Sequence, residues 1–421
     1  MTARLTSSPE FTIRQLETSA EIEAFVHLNA ATFRPDEDIE TVTSLRYKYL
    51  IADPAFHPGQ LRGAFINNTY IGGYIIRERQ LCLESARLST GCIGGVVTRP
   101  DYRHQGIATA LMQEALTYAY NQRYALLLLH GVQDFYHQFG YIDCLEDIPQ
   151  HAIDRKLIPE EPPDAYTVRL ATLSEAPILL AFYQHYYGEY LSSFAPTRTL
   201  ARQKHLYNWL QENIPLLALD ANNKPQGYLL LTRRWNRLYG YEVAANTWPA
   251  ILALLQYHSH LLESETEPSE ELWWTIPPNS LTYYLLTDYL PVRGEAYAHP
   301  NQGWMARPVH LPTLFQSLLP LWQIRWKQAN SPWSGNIALN IDNHTCSLKL
   351  EPASLCFNEH ASTHTAQVSL TPQVFTQLLF GFRPISWAML QPGQGIPAEI
   401  APILNFLFPI KQAWIAGSDY F

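Results

Sequence analysis

Arg103-His104-Gln105-Gly106-Ile107-Ala108-Thr109 sets a single glycine between two basic side chains and the first turn of an apolar helical period. Ile107, Leu111, Ala115 and Ala119 recur on one face of that period. A β-type run over 92–98 precedes it, broken by Gly94-Gly95, where a bulge or a close backbone approach is expected. Strand, glycine loop and helix start together form an anion cradle. The first N–H groups of the helix and its positive dipole end point outward, and Gly106 lets a phosphate approach the main chain. Such a cradle takes a ligand carrying a pyrophosphate. It is neither a Gly-Lys-Ser/Thr phosphate loop nor a three-glycine dinucleotide fingerprint. Beyond it, an apolar run over 124–129 suits a strand buried on both faces. Phe135-Tyr136-His137-Gln138-Phe139-Gly140-Tyr141 follows that run.

The elements that must position these residues belong to a larger plan. A chain of 421 residues corresponds to roughly two to four domains at ~100–200 residues each. Phe11-Thr12-Ile13-Arg14 returns as Tyr166-Thr167-Val168-Arg169, and Asn67-Asn68 returns at the same offset as Asn222-Asn223. Gly73-Tyr74 returns as Gly227-Tyr228, one residue short of it. Each copy reads as strand, helix and an Asn-Asn hairpin, so an α/β domain is duplicated. A proline-rich acidic linker over 158–164 separates the copies. A softer boundary over 299–312 leads into an α+β region: a hairpin across Asp342-Asn343-His344, a strand over 367–370, and a helix capped by Thr371-Pro372 and stopped at Gly381. The expected domains are 1–157, 165–300 and 301–421.

Composition excludes several classes. A net charge of −9 argues against a broad nucleic-acid face or an anionic membrane partner. No run approaches the ~18 apolar residues of a membrane span. The five cysteines, Cys82, Cys92, Cys144, Cys346 and Cys356, show no CxxC spacing, which fits a reducing cytoplasm without disulfides or zinc. His258 and His260 show no metal-ligand spacing, no Gly-x-Ser-x-Gly elbow is present, and Trp273-Trp274 and Tyr283-Tyr284 read as core.

The stretch Val96-Val97-Thr98-Arg99-Pro100-Asp101-Tyr102-Arg103-His104-Gln105-Gly106-Ile107-Ala108 resembles motif A of the GNAT superfamily of N-acetyltransferases, in which Arg/Gln-x-x-Gly-x-Gly/Ala binds the pyrophosphate of acetyl-CoA. The 135–141 segment resembles the family's aromatic motif, whose first tyrosine protonates the departing CoA sulfur. A phenol with pKa near ~10 suits a thiolate of similar basicity. Over its whole length the chain resembles the Eis-type (enhanced intracellular survival) acetyltransferases, which have two tandem GNAT domains, the second degenerate, and a third domain like sterol carrier protein. Trp304-Met305-Ala306-Arg307, the 370–383 helix region and the terminal Phe421 carry that resemblance. In the second copy the 239–243 strand leads into Ala-Ala-Asn-Thr-Trp-Pro, without a glycine cradle.

The resemblance implies two mixed-sheet α/β domains, an α+β third domain, acetyl-CoA as co-substrate and no metal. It implies that Val96, Val97 and Thr98 pair along pantetheine and orient the acetyl carbonyl. Arg103, His104, Gln105, Gly106, Ile107, Ala108 and Thr109 would hold the pyrophosphate, with Gly131 and Val132 along the CoA path. It further implies Tyr136 as general acid and the Phe421 carboxylate as base. Asp419 and Asp36 either line an amine pocket or lie in solvated tail and loop. The acceptor is a small-molecule or lysine-type amine, and the assembly a cytoplasmic hexamer. Two alternatives stand beside this reading: an acyltransferase using a longer acyl-CoA, and a lipid-binding carrier or scaffold with a vestigial cradle.

Overall fold

The computed structural model describes residues 10–146, 150–161, 166–207, 213–234, 237–265, 268–295, 300–357 and 365–421; the expected linker thus lies partly outside the described residues. The first part contains β1 (Thr12–Gln15), α1 (Ser19–Phe33), α2 (Ile39–Ala52), β2 (Leu61–Ile66), β3 (Thr69–Leu83), β4 (Ala86–Thr98), α3 (Ile107–Asn121), β5 (Leu126–Gly131) and β6 (Ile142–Asp143). The second contains β7 (Gln150–Asp154), β8 (Thr167–Leu170), α4 (Ala176–Tyr187), α5 (Leu200–Tyr207), β9 (Asn213–Leu219), β10 (Pro225–Arg234), β11 (Arg237–Ala245), α6 (Trp248–Glu263), β12 (Glu271–Thr275), α7 (Leu281–Thr287) and β13 (Arg293–Glu295). The third contains β14 (Gly303–Pro308), α8 (Leu311–Ala329), β15 (Gly335–Ile341), β16 (His344–Glu351), β17 (Ser354–Phe357), β18 (Ala366–Leu370), α9 (Pro372–Leu379), α10 (Ile385–Ala388) and α11 (Ala401–Leu407).

The two large sheets are built alike. The first runs β1-β2-β3-β4-β5-β14-β6, and the second, read from its matching edge, runs β8-β9-β10-β11-β12-β7-β13. One parallel pair lies in the same place in each, β4 with β5 and β11 with β12. The Asn-Asn hairpins recur at the β2–β3 and β9–β10 turns, with Asn67, Asn68 and Asn223 in the left-handed region that tight turns demand.

The sixth position of each sheet is filled by a strand from elsewhere. β7 falls within 1–157 but pairs between β12 and β13 of the second sheet. β14 follows the second domain's own last strand and pairs with β5 and β6 of the first. The two units therefore exchange strands, and neither sheet is complete within its own stretch of sequence.

The third unit is a four-stranded sheet, β17-β16-β15-β18, with helices against it. Thr371 caps α9 by accepting from the Val374 N–H, and Gly381 takes a left-handed turn just beyond it. The core of this unit is continuous with one face of the first sheet. Cys92, Leu126 and Leu128 join Trp322, Phe375 and Phe408 in a single buried cluster. The opposite face of the first sheet packs on α3 through Ile76, Ile93, Leu111 and Ala115.

Trp273 and Trp274 are buried as expected, and the Trp274 indole donates to His258 Nδ1 at 3.0 Å. Tyr284 differs: it is 49% exposed, because α7 is a short surface helix that buries only Thr282 and Leu286.

Candidate active site

The parallel pairing of β4 with β5 runs from Thr90–Leu126 to Ile93–Leu129 and stops there. Beyond it β4 continues to Thr98, with its pairing on the β5 side ended. On its other side it stays bonded to β3, through Val97–Gly73 and Thr98–Gly72. Between Gly94 and Val97 the register shifts, so that Tyr74 on β3 faces both Gly95 and Val96. That is a β-bulge at the residues expected to meet pantetheine. Gly95 holds φ +57°, and a Cβ there would fall 2.6 Å from the Asn29 side-chain oxygen on α1. Glycine is therefore required on both counts. Asn29 is buried, donates to the Phe25 carbonyl at 3.0 Å and lies beside the Gly95 carbonyl.

Val96 and Thr98 are half-buried and Val97 is buried. The Thr98 carbonyl accepts from Arg103 Nε at 3.3 Å, which ties the end of β4 to the cradle loop. Gln105 is likewise held to the loop, donating to the Asp101 carbonyl at 3.1 Å. Arg103, His104 and Gly106 are exposed. Gly106 caps α3 with φ +81°, contributes no side chain and has open space where a Cβ would stand. Ile107 packs into the core, so it can offer a ligand only its main chain, while Ala108 and Thr109 are half-buried. A 15-residue helix whose N-terminus has no side-chain cap, with open space above its glycine and two basic side chains beside it, fits a pyrophosphate.

The second copy shows the contrast. The start of α6 is capped by the Thr247 hydroxyl, which accepts from Ala250 N–H, and Pro249 supplies no N–H at all. Of its first three positions, one donor is spent on that cap and one is missing. A cavity of about 590 Å³ in that unit, lined by Arg155, Gln256, His260 and Glu263 among others, contains no residue of the cradle.

Tyr136 starts a short 3₁₀ turn, Tyr136–Phe139, that Gly140 ends at φ +80°. Its ring packs edge-on against Phe135 and Tyr141, with centroids 4.9 and 6.1 Å away. Gly131 makes this placement possible, since a Cβ there would meet the Tyr136 ring at 2.7 Å. Burial pushes the Tyr136 phenol up to about 12, so it stays protonated at neutral pH. Val132, next to Gly131, is 60% exposed, an apolar side chain open to a ligand.

The C-terminus comes to the same strand. A Cβ on Gly94 would lie 2.9 Å from a Phe421 carboxyl oxygen and 3.6 Å from Ile75. The carboxyl group thus rests on the face of the sheet opposite α3, at the first residue past the β4–β5 pairing. Trp304 of β14 packs edge-on to both Tyr420 and Phe421, at 4.8 and 5.6 Å between centroids, and His130 of β5 lies 5.7 Å from the Tyr420 ring.

Asp419 is only 1% exposed. It pairs with Arg198 at 3.1 Å, accepts from the Tyr183 hydroxyl, and shares Arg198 with the fully buried Glu242. Asp419 therefore anchors the tail to the second unit and is neither a solvated end nor a free pocket carboxylate. Asp36 is exposed in the turn between α1 and α2, as a solvated loop residue.

Sequence reasoning missed Gly94 as the seat of the terminal carboxylate, Asn29 behind the bulge, and His130 and Arg77 on the tail face. The doubled glycine signalled the first. Asn29 and His130 depend on contacts with Gly95 and Tyr420, more than 60 residues away, and Arg77 on a tail more than 300 residues away, which no local pattern carries.

The acetyltransferase (GNAT) domain family matches residues 12–142. The first unit is a GNAT acyltransferase domain. A search of curated proteins finds no significant relative. Among solved structures, a probable N-acyltransferase of unknown function from Enterococcus faecalis V583 matches at TM-score 0.74 and 18% identity, over 98% of this chain and 100% of that one. A GCN5-related N-acetyltransferase from Anabaena variabilis matches at 0.69 and 16%, and Eis1 from Mycobacterium abscessus at 0.61 and 17%, each over 98% of this chain and 100% of the other. At such identities the likeness is one of fold, and it spans all three units. Among the described residues, no group of three or more potential ligands could hold a metal, and no helix is long and apolar enough to cross a membrane.

Proposed function

We propose that the protein is an acetyl-CoA-dependent N-acetyltransferase of the Eis type, acting on a primary amine by direct transfer. The observation that carries this reading is the seat of the Phe421 carboxyl on Gly94, where β4 parts from β5 in a GNAT domain with an open pyrophosphate cradle.

Bound acetyl-CoA supplies an activated acetyl group: the amine nitrogen bonds to its carbonyl carbon as the C–S bond breaks, the nitrogen gives up a proton and the sulfur gains one. Arg103, His104, Gln105 and the N–H groups of 107–109 hold the pyrophosphate, and Gly106 makes room for it. The main chain of Val96, Val97 and Thr98, unpaired on the β5 side, orients the acetyl carbonyl. Gly131 and Val132 line the path. The Phe421 carboxylate takes or relays the amine's proton, and the Tyr136 phenol provides one for the sulfur. An α-carboxylate with an ordinary pKa of ~3.3–3.7 is a weak base for an ammonium, so a water between them fits the task.

The third unit serves this chemistry by presenting the tail. Its interior is filled by Trp322, Trp326, Phe375, Phe380 and Phe408, which favours a packed support over a lipid carrier.

Calorimetric titration with acetyl-CoA is expected to give one saturable site in the wild type. Gly106→Glu, which places bulk and negative charge on the cradle, should abolish it while the melting temperature holds. A panel of amines followed by free-thiol release should then show acetyl-CoA turnover. Unchanged binding in Gly106→Glu would place the pyrophosphate elsewhere.

A further inference from the structure

The face of the first sheet that receives the tail carries more than the tail. Ile75, Arg77 and Arg79 alternate along β3 toward that face, opposite Gly94, Cys92 and Thr90 of β4. Arg77 is thus one step, roughly 7 Å, along the sheet from the seat of the Phe421 carboxyl. Arg202 and His205 on α5 approach from the second unit and meet Asp53, just past the end of α2, and Tyr49 of α2, whose ring stacks on His205 at 4.0 Å. Burial together with Arg79 and Arg202 pushes Arg77 down to about 10, and burial together with Arg202 pushes His205 down to about 4.

The side chains here carry one positive charge in excess, Arg77, Arg79, Arg198 and Arg202 against Asp53, Glu242 and Asp419, and only the Phe421 carboxylate balances it. Asp53 is taken by Arg202 at 2.8 Å. Glu242 and Asp419 are both taken by Arg198. Among the described residues, Arg77 and Arg79 form no ion pair; Asp53 acts on both, and Asp419 on Arg79, only at longer range. Arg79 Nε, Arg202 Nε and His205 Nε2 are buried without a hydrogen-bond partner. Buried guanidinium donors left open are costly unless something meets them. Yet the recess is not sealed: Arg77, Arg79, Gly94 and Phe421 all keep partial exposure. At one end stands a carboxylate, and at the other two arginines without an ion pair, one of them with its Nε donor open.

From this arrangement, and resting on the transferase reading above, we infer that the acceptor is bipolar: a primary amine that also bears a carboxylate or phosphate, its amine at the Phe421 carboxyl and its anion on Arg77 and Arg79. A polycation, by pairing with the Phe421 carboxylate and adding further charge, would face two arginines that have no ion-pair partner and be repelled. The spacing favours a chain of several carbons between amine and anion over an α-amino acid.

The test compares 6-aminohexanoate and 4-aminobutyl phosphate with hexylamine, which lacks the anion, and spermidine, a polycation, each with acetyl-CoA. One or both anionic amines should show the highest kcat/KM, and which of the two leads tells carboxylate from phosphate. In Arg77→Gln the ratio of kcat/KM for the better anionic amine over hexylamine should fall about ten-fold or more, chiefly through KM, with Arg77→Lys recovering part of it. Calorimetric binding of that amine to the wild-type enzyme, weakened in Arg77→Gln at an unchanged melting temperature, gives a readout independent of turnover. Equal or better use of hexylamine or spermidine would overturn the bipolar recess while leaving the transferase intact. If no amine turned over although acetyl-CoA bound, the transferase reading would fail. Calorimetry alone would then decide the recess: binding lost in Arg77→Gln upholds it, and no binding overturns it.

Discussion

Tyr136 separates a role from a placement. Its ring is wedged between Gly131, Phe135 and Tyr141, so packing alone would justify a tyrosine or a phenylalanine there. The hydroxyl is what distinguishes the two, and burial keeps it protonated. Tyr136→Phe should therefore lower kcat about 10²–10⁴-fold, with acetyl-CoA affinity and melting temperature nearly unchanged. Wild-type turnover in that variant would leave Tyr136 a packing residue. Residues of this kind are legible in the amino-acid sequence because their motif is local: Tyr136 lies five positions from Gly131, and Gly106 stands at the start of its own helix. Asp419 is not. Its sequence surroundings read equally as solvated tail, and only Arg198, more than 200 positions earlier, makes it a buried anchor.

At the scale of elements, the end of β4 does three things at once. It bulges at Gly95, it parts from β5 after Ile93, and it offers Gly94 as the seat for a carboxylate. The Gly94-Gly95 pair announces a bulge or a close approach, and the structure contains both. What approaches Gly94 is not readable locally, since the tail is more than 300 residues away in sequence. The consequence is testable with one methyl group. A Cβ at position 94 would stand 2.9 Å from the Phe421 carboxyl oxygen, closer than van der Waals contact, so Gly94→Ala must displace the carboxyl by several tenths of an ångström or more. Strand geometry itself accepts alanine, and stability should hold or rise slightly. A reacting group misplaced by about 1 Å costs on the order of 10²-fold. Gly94→Ala is accordingly expected to lose up to that much kcat while binding acetyl-CoA as before, read by calorimetry beside steady-state kinetics. Full activity would mean that the carboxyl's position is irrelevant to the reaction.

At the scale of the whole molecule, the duplication visible in the sequence proves to be a mutual dependence. β7 and β14 each complete the other unit's sheet, and β14 carries Trp304, against which the last two rings pack. The second unit lacks a cradle but supplies Tyr183, Arg198 and Glu242 to grip Asp419. The third places 415–421 so that the chain ends on the first unit's β4. Three units thus converge on one carboxylate, a large structural commitment for a terminus that is ordinarily frayed. Two explanations compete: Tyr420 and Phe421 seal an apolar seam, or the carboxylate itself serves the reaction. A short tag appended after Phe421 converts the α-carboxylate into an amide while keeping both rings, and Phe421→Leu keeps the carboxylate while changing the ring. Phe421 remains half-exposed, which leaves room for the appended residues, and the Asp419–Arg198 anchor lies upstream of the change. If the carboxylate handles the amine's proton, the tagged enzyme should bind acetyl-CoA and melt like the wild type yet turn over ~10²–10⁴-fold more slowly, with Phe421→Leu retaining most activity. If the rings only seal the seam, the order reverses: the leucine variant loses melting temperature, and the tagged enzyme works at full rate.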